Sequence, residues 1–267
     1  PRSTLFPYTT LFRSVLRRGL DRGLHLGAQL YVSRDGRTVA DFGLGEARPG
    51  VPMTADTLMT WYSSTKPLTS LCVGQAWERG WLQLDDPVAK HVPEFARHGK
   101  ERVTIRHVLT HTSGFPQADT AVRFTRPWAE VIAAICDAKL EDGWEVGRHA
   151  LYHPTSGMQI LGEIVARRSG LPFDRYIRAQ LFEPLGMRDS WVGMPPAVYR
   201  AYGDRMGRMT NTDGATPVPA EHYRDIGEEG WATICVPGGN GHGPMRELAR
   251  FYEMMLRGGE GNGRRVL

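Results

Sequence analysis

Apolar and polar positions follow a strand-like pattern at the start of the chain and a helical period after it. Residues 28–33 and 38–43 are β-rich runs flanking Asp35-Gly36, a pair that accepts the positive φ of a tight hairpin turn. A short helical pattern over 15–24 precedes them. After a connection over 54–60, apolar spacing predicts a long helix over 63–79. Pro67 falls in its first turn, where a missing N–H costs little, and Gly80 ends it. Asp85-Asp86-Pro87 opens a short segment through Val92. Residues 105–110 read as a short helix before a Thr112-Ser113-Gly114 turn. Helical spacing returns over 127–140, 155–168 (closed by Gly170), 173–181 and 245–256, the last followed by Gly258-Gly259. Residues 187–235 are irregular and rich in Gly, Pro and Met. The order is thus a hairpin followed by a long helical stretch, with no return to strands. It is not the alternation of a doubly wound parallel sheet.

Both ends of the chain bear on that picture. Residues 1–14, Pro-Arg-Ser-Thr-Leu-Phe-Pro-Tyr-Thr-Thr-Leu-Phe-Arg-Ser, back-translate into a common short-read sequencing adapter, so natural sequence is expected to begin near Val15. At the other end, Gly-Gly-Glu-Gly-Asn-Gly-Arg-Arg-Val-Leu267 completes a turn where a new strand is expected to begin. The expectation is therefore a metagenomic fragment cut at both ends, with compartment and oligomeric state left open.

Composition narrows the class. The apolar fraction of 41% is ordinary for a globular chain, and no apolar run is long enough to span a membrane. The net charge of +4 is modest, and Arg17-Arg18, Arg167-Arg168 and Arg264-Arg265 are isolated pairs without an aromatic-basic stripe. No nucleic-acid partner is expected. Cys72, Cys136 and Cys235 are far apart, odd in number and lack zinc spacing, so no disulfide framework is predicted and Cys72 reads as a small buried hydrophobe. Lysine occurs only at 66, 90, 100 and 139, so a lysine that chemistry requires stands out.

One such lysine closes Ser63-Ser64-Thr65-Lys66 at the predicted helix start. Positions i and i+3 share a helix face, so the amine can reach the Ser63 hydroxyl, and a helix N-terminus favours developing negative charge. Serine is a weak nucleophile until a base takes its proton. Lysine can be that base once burial or positive neighbours lower its proton affinity, whereas arginine does not deprotonate. Ser64, two residues from Lys66, lacks the spacing. Taken alone, Ser-x-x-Lys is a weak signal whose ordinary meaning is a solvent-facing helix start.

The surrounding sequence makes it specific. Thr57-Leu-Met-Thr-Trp-Tyr-Ser63-Ser-Thr-Lys66-Pro-Leu-Thr resembles the nucleophile motif of the β-lactamase-like serine hydrolases. That superfamily includes class C β-lactamases, D-alanyl-D-alanine peptidases and family VIII carboxylesterases. Leu82-Gln-Leu-Asp-Asp-Pro-Val88, Thr104-Ile-Arg-His-Val-Leu-Thr-His-Thr-Ser-Gly114 and Gly238-Gly-Asn-Gly-His-Gly followed by Arg246-Glu-Leu-Ala-Arg-Phe251 resemble further family segments in the right order. The resemblance covers about residues 27–259. It implies an α+β, β-lactamase/transpeptidase-like fold, an antiparallel sheet packed with helices plus an inserted helical region. Residues 15–60 would form the hairpin part, 61–235 the mostly helical region and 236–267 the start of the return, with the C-terminal strands missing. It also implies acyl transfer through Ser63 with no cofactor and no metal. Tyr152 takes the position of the family's Tyr-x-Asn tyrosine, a general acid–base beside the lysine. Gly239 and Asn240 of the glycine loop are the substrate-binding candidates.

The match departs from the family at Pro154, where penicillin-recognising members carry an asparagine implicated in binding the amide of β-lactams and peptides. That tilts the expectation toward a small or medium acyl ester. A β-lactamase or D-alanyl-D-alanine peptidase acting on an amide, and a non-catalytic binding protein, remain the alternatives. The family's third motif, Lys/His-Thr/Ser-Gly, is expected beyond residue 267, with His242-Gly243 read as loop. The chain by itself is accordingly expected to be unstable or inactive. His107 and His111 have i, i+4 spacing, but no Glu between them makes a zinc helix, and structural roles are expected. Trp61, Tyr62, Trp128 and Trp144 are expected in the core or along an apolar substrate pocket.

Overall fold

The computed structural model describes residues 6–116, 118, 127–210 and 226–267. Helix α1 (Phe6–Asp21) leads into strands β1 (Gly27–Arg34) and β2 (Arg37–Arg48), paired antiparallel, with β3 (Val51–Pro52) on the far edge of β2. Asp35 and Gly36, at φ 51° and 74°, make the two-residue turn that the sequence calls for. The helical pattern over 15–24 thus begins earlier and ends sooner than its apolar spacing indicated.

After β4 (Met59–Thr60) the chain makes a 3-10 turn over Tyr62–Thr65 and enters helix α2 (Lys66–Glu78). Ser63 therefore sits in a tighter turn before the helix rather than at the helix start. The i, i+3 relation survives because a 3-10 turn stacks those positions directly. Helices α3 (Ile105–Leu109), α4 (Trp128–Asp137), α5 (Ser156–Ser169) and α6 (Phe173–Ile177, continued by a π-turn over Arg178–Phe182) follow. Helix α5 packs against α2, α3, α4 and α6, and together they enclose one core holding Leu68, Leu71, Cys72, Ile105, Ile135, Ile160, Ile164 and Phe182, all 5% exposed or less. Each such Leu or Ile contributes about 1.5–3 kcal/mol by burial. Cys72 packs there as a small hydrophobe, and all three cysteines are free.

The stretch expected to be irregular, 187–235, holds strand β5 (Trp191–Val192) and helices α7 (Pro196–Tyr202) and α8 (Gly227–Thr233); residues 211–225 lie outside those described. Strands also return, against expectation. Strand β6 (Gly241–Gly243) pairs antiparallel with β4 on one side and β5 on the other, so His242-Gly243 is strand and not loop. Helix α9 (Met245–Leu256) matches its predicted span, and β7 (Glu260–Gly261) with β8 (Arg264–Arg265) forms a hairpin about Asn262-Gly263. The β4-β6-β5 sheet ties residues 59–60 to 241–243, which brings the glycine loop against the start of α2.

Candidate active site

The turn before α2 sets the site. Tyr62 has a positive φ of 45°, a conformation that costs a non-glycine residue about 1–2 kcal/mol, and Ser63 follows it with its side chain exposed. Lys66, only 7% exposed, donates from Nζ to Ser63 Oγ at 3.0 Å and to the Gly238 carbonyl at 2.7 Å. The Tyr152 hydroxyl donates to the same Ser63 Oγ at 2.6 Å, and Lys66 Nζ lies 4.9 Å from the centre of the Tyr152 ring. The three residues expected to carry chemistry thus converge on one oxygen.

The loop before β6 contributes a backbone partner that the sequence did not disclose, the Gly238 carbonyl. Side-chain reasoning cannot see a carbonyl; the available signal was steric. A Cβ on Gly238 would lie 3.1 Å from the Pro154 carbonyl oxygen and 3.2 Å from Met158 Cβ, so a larger residue would push the loop off Lys66. Thr69 holds the same loop, donating from Oγ1 to the Pro237 carbonyl at 2.6 Å. Thr65 Oγ1 accepts the Gly241 amide at 2.9 Å, and Trp61 donates its own amide to the Gly241 carbonyl at 2.7 Å. A Cβ on Gly241 would come within 2.7 Å of Thr65 Oγ1 and 2.8 Å of Trp61, so this close approach requires glycine.

Gly239 and Asn240, the substrate-binding candidates, are both buried and bonded within the loop itself. Both backbone amides donate to the Val236 carbonyl, at 3.0 and 3.2 Å. Asn240 is fully buried: Oδ1 accepts from Val236 N at 2.9 Å, and Nδ2 donates to the carbonyls of Trp231, at 2.9 Å, and Ile234. The amide shapes the loop from within, because the turn leaves those backbone groups without other partners.

Next to this loop, His242 is buried in β6, with Nδ1 at 2.8 Å from the Asn240 carbonyl and Nε2 at 2.7 Å from Thr60 Oγ1. Burial pulls its pKa down from the ordinary 6.5 to about 4. His107 caps α3: its amide donates to Thr104 Oγ1 and its Nδ1 accepts from Thr104 N, both at 3.2 Å. His111 Nδ1 accepts from His153 N at 3.2 Å. These bonds occupy the i, i+4 histidine pair with backbone bracing. Trp61 is core, with Nε1 on the Gly243 carbonyl at 3.0 Å; Trp144 donates to the Thr112 carbonyl at 3.2 Å, and Trp128 to Glu163 at 2.6 Å. Of the four aromatics, Tyr62 stands beside Ser63 and is half-buried.

Chemically, a nucleophilic oxygen with an amine and a phenol in hydrogen-bond reach is an arrangement for moving a proton off and back while a carbonyl is attacked. The family model described as "Beta-lactamase" matches residues 12–267. The chain is 33% identical over 181 residues to "Esterase EstB" of Burkholderia gladioli, covering 61% of this chain and 46% of that protein. It is 27% identical over 267 residues to "Esterase/beta-lactamase LipL" of Mycobacterium tuberculosis (strain ATCC 25618 / H37Rv), covering 90% of this chain and 61% of that protein. The chain thus spans about half the length of the curated relatives it matches. A crystal structure of a family VIII carboxylesterase superposes with a TM-score of 0.82 at 26% identity, covering 98% of this chain and 73% of that one. With a family model matched from residue 12 to residue 267 and the β-lactamase/transpeptidase-like fold around the serine turn, the chain belongs to the beta-lactamase family.

Proposed function

We propose that the chain is a serine hydrolase of the acyl-enzyme type, acting on small or medium acyl esters. The observation that carries this reading is the convergence of Lys66 Nζ and the Tyr152 hydroxyl on Ser63 Oγ, at 3.0 and 2.6 Å. In the reactive form the Tyr152–Lys66 pair carries one proton fewer than a phenol beside an ammonium, and Ser63 Oγ attacks the ester carbonyl while its proton passes to that vacant basic site. The pair returns a proton to the departing alkoxide, leaving an acyl group on Ser63. Water then attacks that ester, giving up its proton to the same pair, and Ser63 Oγ takes it back as the acid leaves. The Gly238 carbonyl keeps the lysine amine aimed at Ser63.

Preference for an ester over a β-lactam or peptide amide is supported by Pro154, which is exposed two residues after Tyr152 and has no polar side-chain atom to bind an amide. Esterase names among the relatives agree with this choice.

Intact-mass measurement of the folded full-length protein that carries these residues tests both levels. A fluorophosphonate should add once per chain and not to Ser63→Ala, and p-nitrophenyl butyrate should leave a butyryl group on Ser63 as p-nitrophenolate departs. A folded full-length wild-type protein that stays unlabelled by both sinks the acyl-enzyme reading in favour of a binding protein. An adduct with a chromogenic cephalosporin in place of butyrate moves the assignment to the amide-cleaving alternative.

A further inference from the structure

We propose that His111 is a positioning residue for the Tyr152 phenol, an inference that rests on the acyl-enzyme reading above. Residues 151–153 belong to no helix or strand, and Tyr152 is 49% exposed. An exposed aromatic on irregular backbone has several rotamers open to it. A 2.6 Å hydrogen bond to Ser63 Oγ needs one of them held.

The amides on either side of Tyr152 both donate to His111: Leu151 N to its carbonyl at 3.1 Å, and His153 N to its Nδ1 at 3.2 Å. The His111 ring centre lies 4.9 Å from that of Tyr152. One residue therefore grips the backbone before and after the tyrosine and also touches its ring. To do so His111 adopts a φ of 58°, in the left-handed region where histidine is among the more tolerated residues. Behind it, the His153 ring stacks on the His111 ring at 5.9 Å and 15°, and His153 Nε2 accepts the amide of fully buried Phe115 at 3.2 Å. The clamp is thus anchored in the core through a second imidazole. Because Nδ1 of His111 accepts a hydrogen bond, the clamp requires that nitrogen to carry no proton.

The test compares acylation rates in the full-length protein that carries these residues. His111→Gly removes the acceptor and the ring while taking φ 58° without strain. It should slow fluorophosphonate labelling of Ser63 about 10- to 100-fold, the scale of a misplaced proton-transfer group. The saturating rate of butyryl transfer should fall likewise, with the half-saturating ester concentration changed by about twofold or less. His111→Asn, which keeps an acceptor and tolerates the left-handed backbone, should recover most of the rate. Should His111→Gly fail to fold, His111→Asn against His111→Leu at matched size gives the same comparison. In a Tyr152→Phe background the His111 effect should shrink to about twofold or less, because its action runs through the phenol. A full-size effect in that background, or wild-type labelling by His111→Gly, overturns this inference alone. An unlabelled wild-type chain overturns the acyl-enzyme reading and takes the inference with it.

Discussion

Replacing His242 by asparagine should remove a pH dependence of stability that follows from its surroundings. The Asn240 carbonyl can only accept, so Nδ1 of His242 carries the proton and Nε2 accepts from the Thr60 hydroxyl. The neutral ring is fully satisfied; a second proton would place a charge in a buried strand. Burial lowers the pKa from 6.5 to about 4, so as pH falls the unfolded chain takes up the proton first. Stability contributed by the neutral ring is complete above pH 6.5, erodes through the window from 6.5 to about 4, and levels off below it. The shift corresponds to about 2 kcal/mol lost between pH 7.5 and 5, and about 3 kcal/mol by pH 4. The His242→Asn variant should be less stable by about 2–3 kcal/mol at pH 7.5, from lost packing and one hydrogen bond. Because asparagine does not titrate, that gap should narrow to within about 1 kcal/mol at pH 5. Urea unfolding of both proteins at pH 7.5, 6.5 and 5, followed by tryptophan fluorescence, measures the gap, and other titrating groups cancel in the difference. A gap constant within about 0.5 kcal/mol across the series would refute the argument, since it would mean the ring keeps its ordinary proton affinity in β6.

Two further outcomes are expected in the same loop. Asn240→Ala should lower stability by about 2–4 kcal/mol in urea, because it orphans Val236 N and two carbonyls, and it should also slow Ser63 labelling by loosening the carbonyl that holds Lys66. An unchanged urea midpoint would count against the bracing role. Gly241→Ala should cost about 1–3 kcal/mol by thermal unfolding, its methyl meeting Thr65 and Trp61, and a midpoint equal to the parent's would show that β6 passes less closely than described.

How much of this was readable beforehand depended on what kind of group did the work. The hairpin was legible because Asp35-Gly36 encodes a positive-φ turn in side-chain chemistry. Helix α9 was legible because Leu248, Phe251 and Met254 recur at helical spacing. Ser63 and Lys66 were legible as an i, i+3 pair, whereas Tyr152 could be singled out only by resemblance, since nothing local marks a tyrosine that lies 89 residues from its partner. Strand β6 escaped because Gly-His-Gly offers no alternation; tertiary pairing with β4 and β5 makes it a strand. The Gly238 carbonyl escaped because every residue has one, and the bracing role of Asn240 escaped because an exposed amide and a buried bracing amide look identical in sequence.

The three hydrogen bonds at the heart of the site differ greatly in the length of chain they close. Lys66 meets Ser63 across three residues, Tyr152 meets Ser63 across 89, and Lys66 meets Gly238 across 172. Only the first can form with the turn itself; the others wait for closure of long loops and docking of distant segments. Partly folded chains therefore carry a serine and a lysine side by side but no phenol in place and no carbonyl aiming the amine. The arrangement around Ser63 Oγ is thus a property of finished tertiary structure, and on the proposed reading a chain still in the course of folding is spared premature acylation.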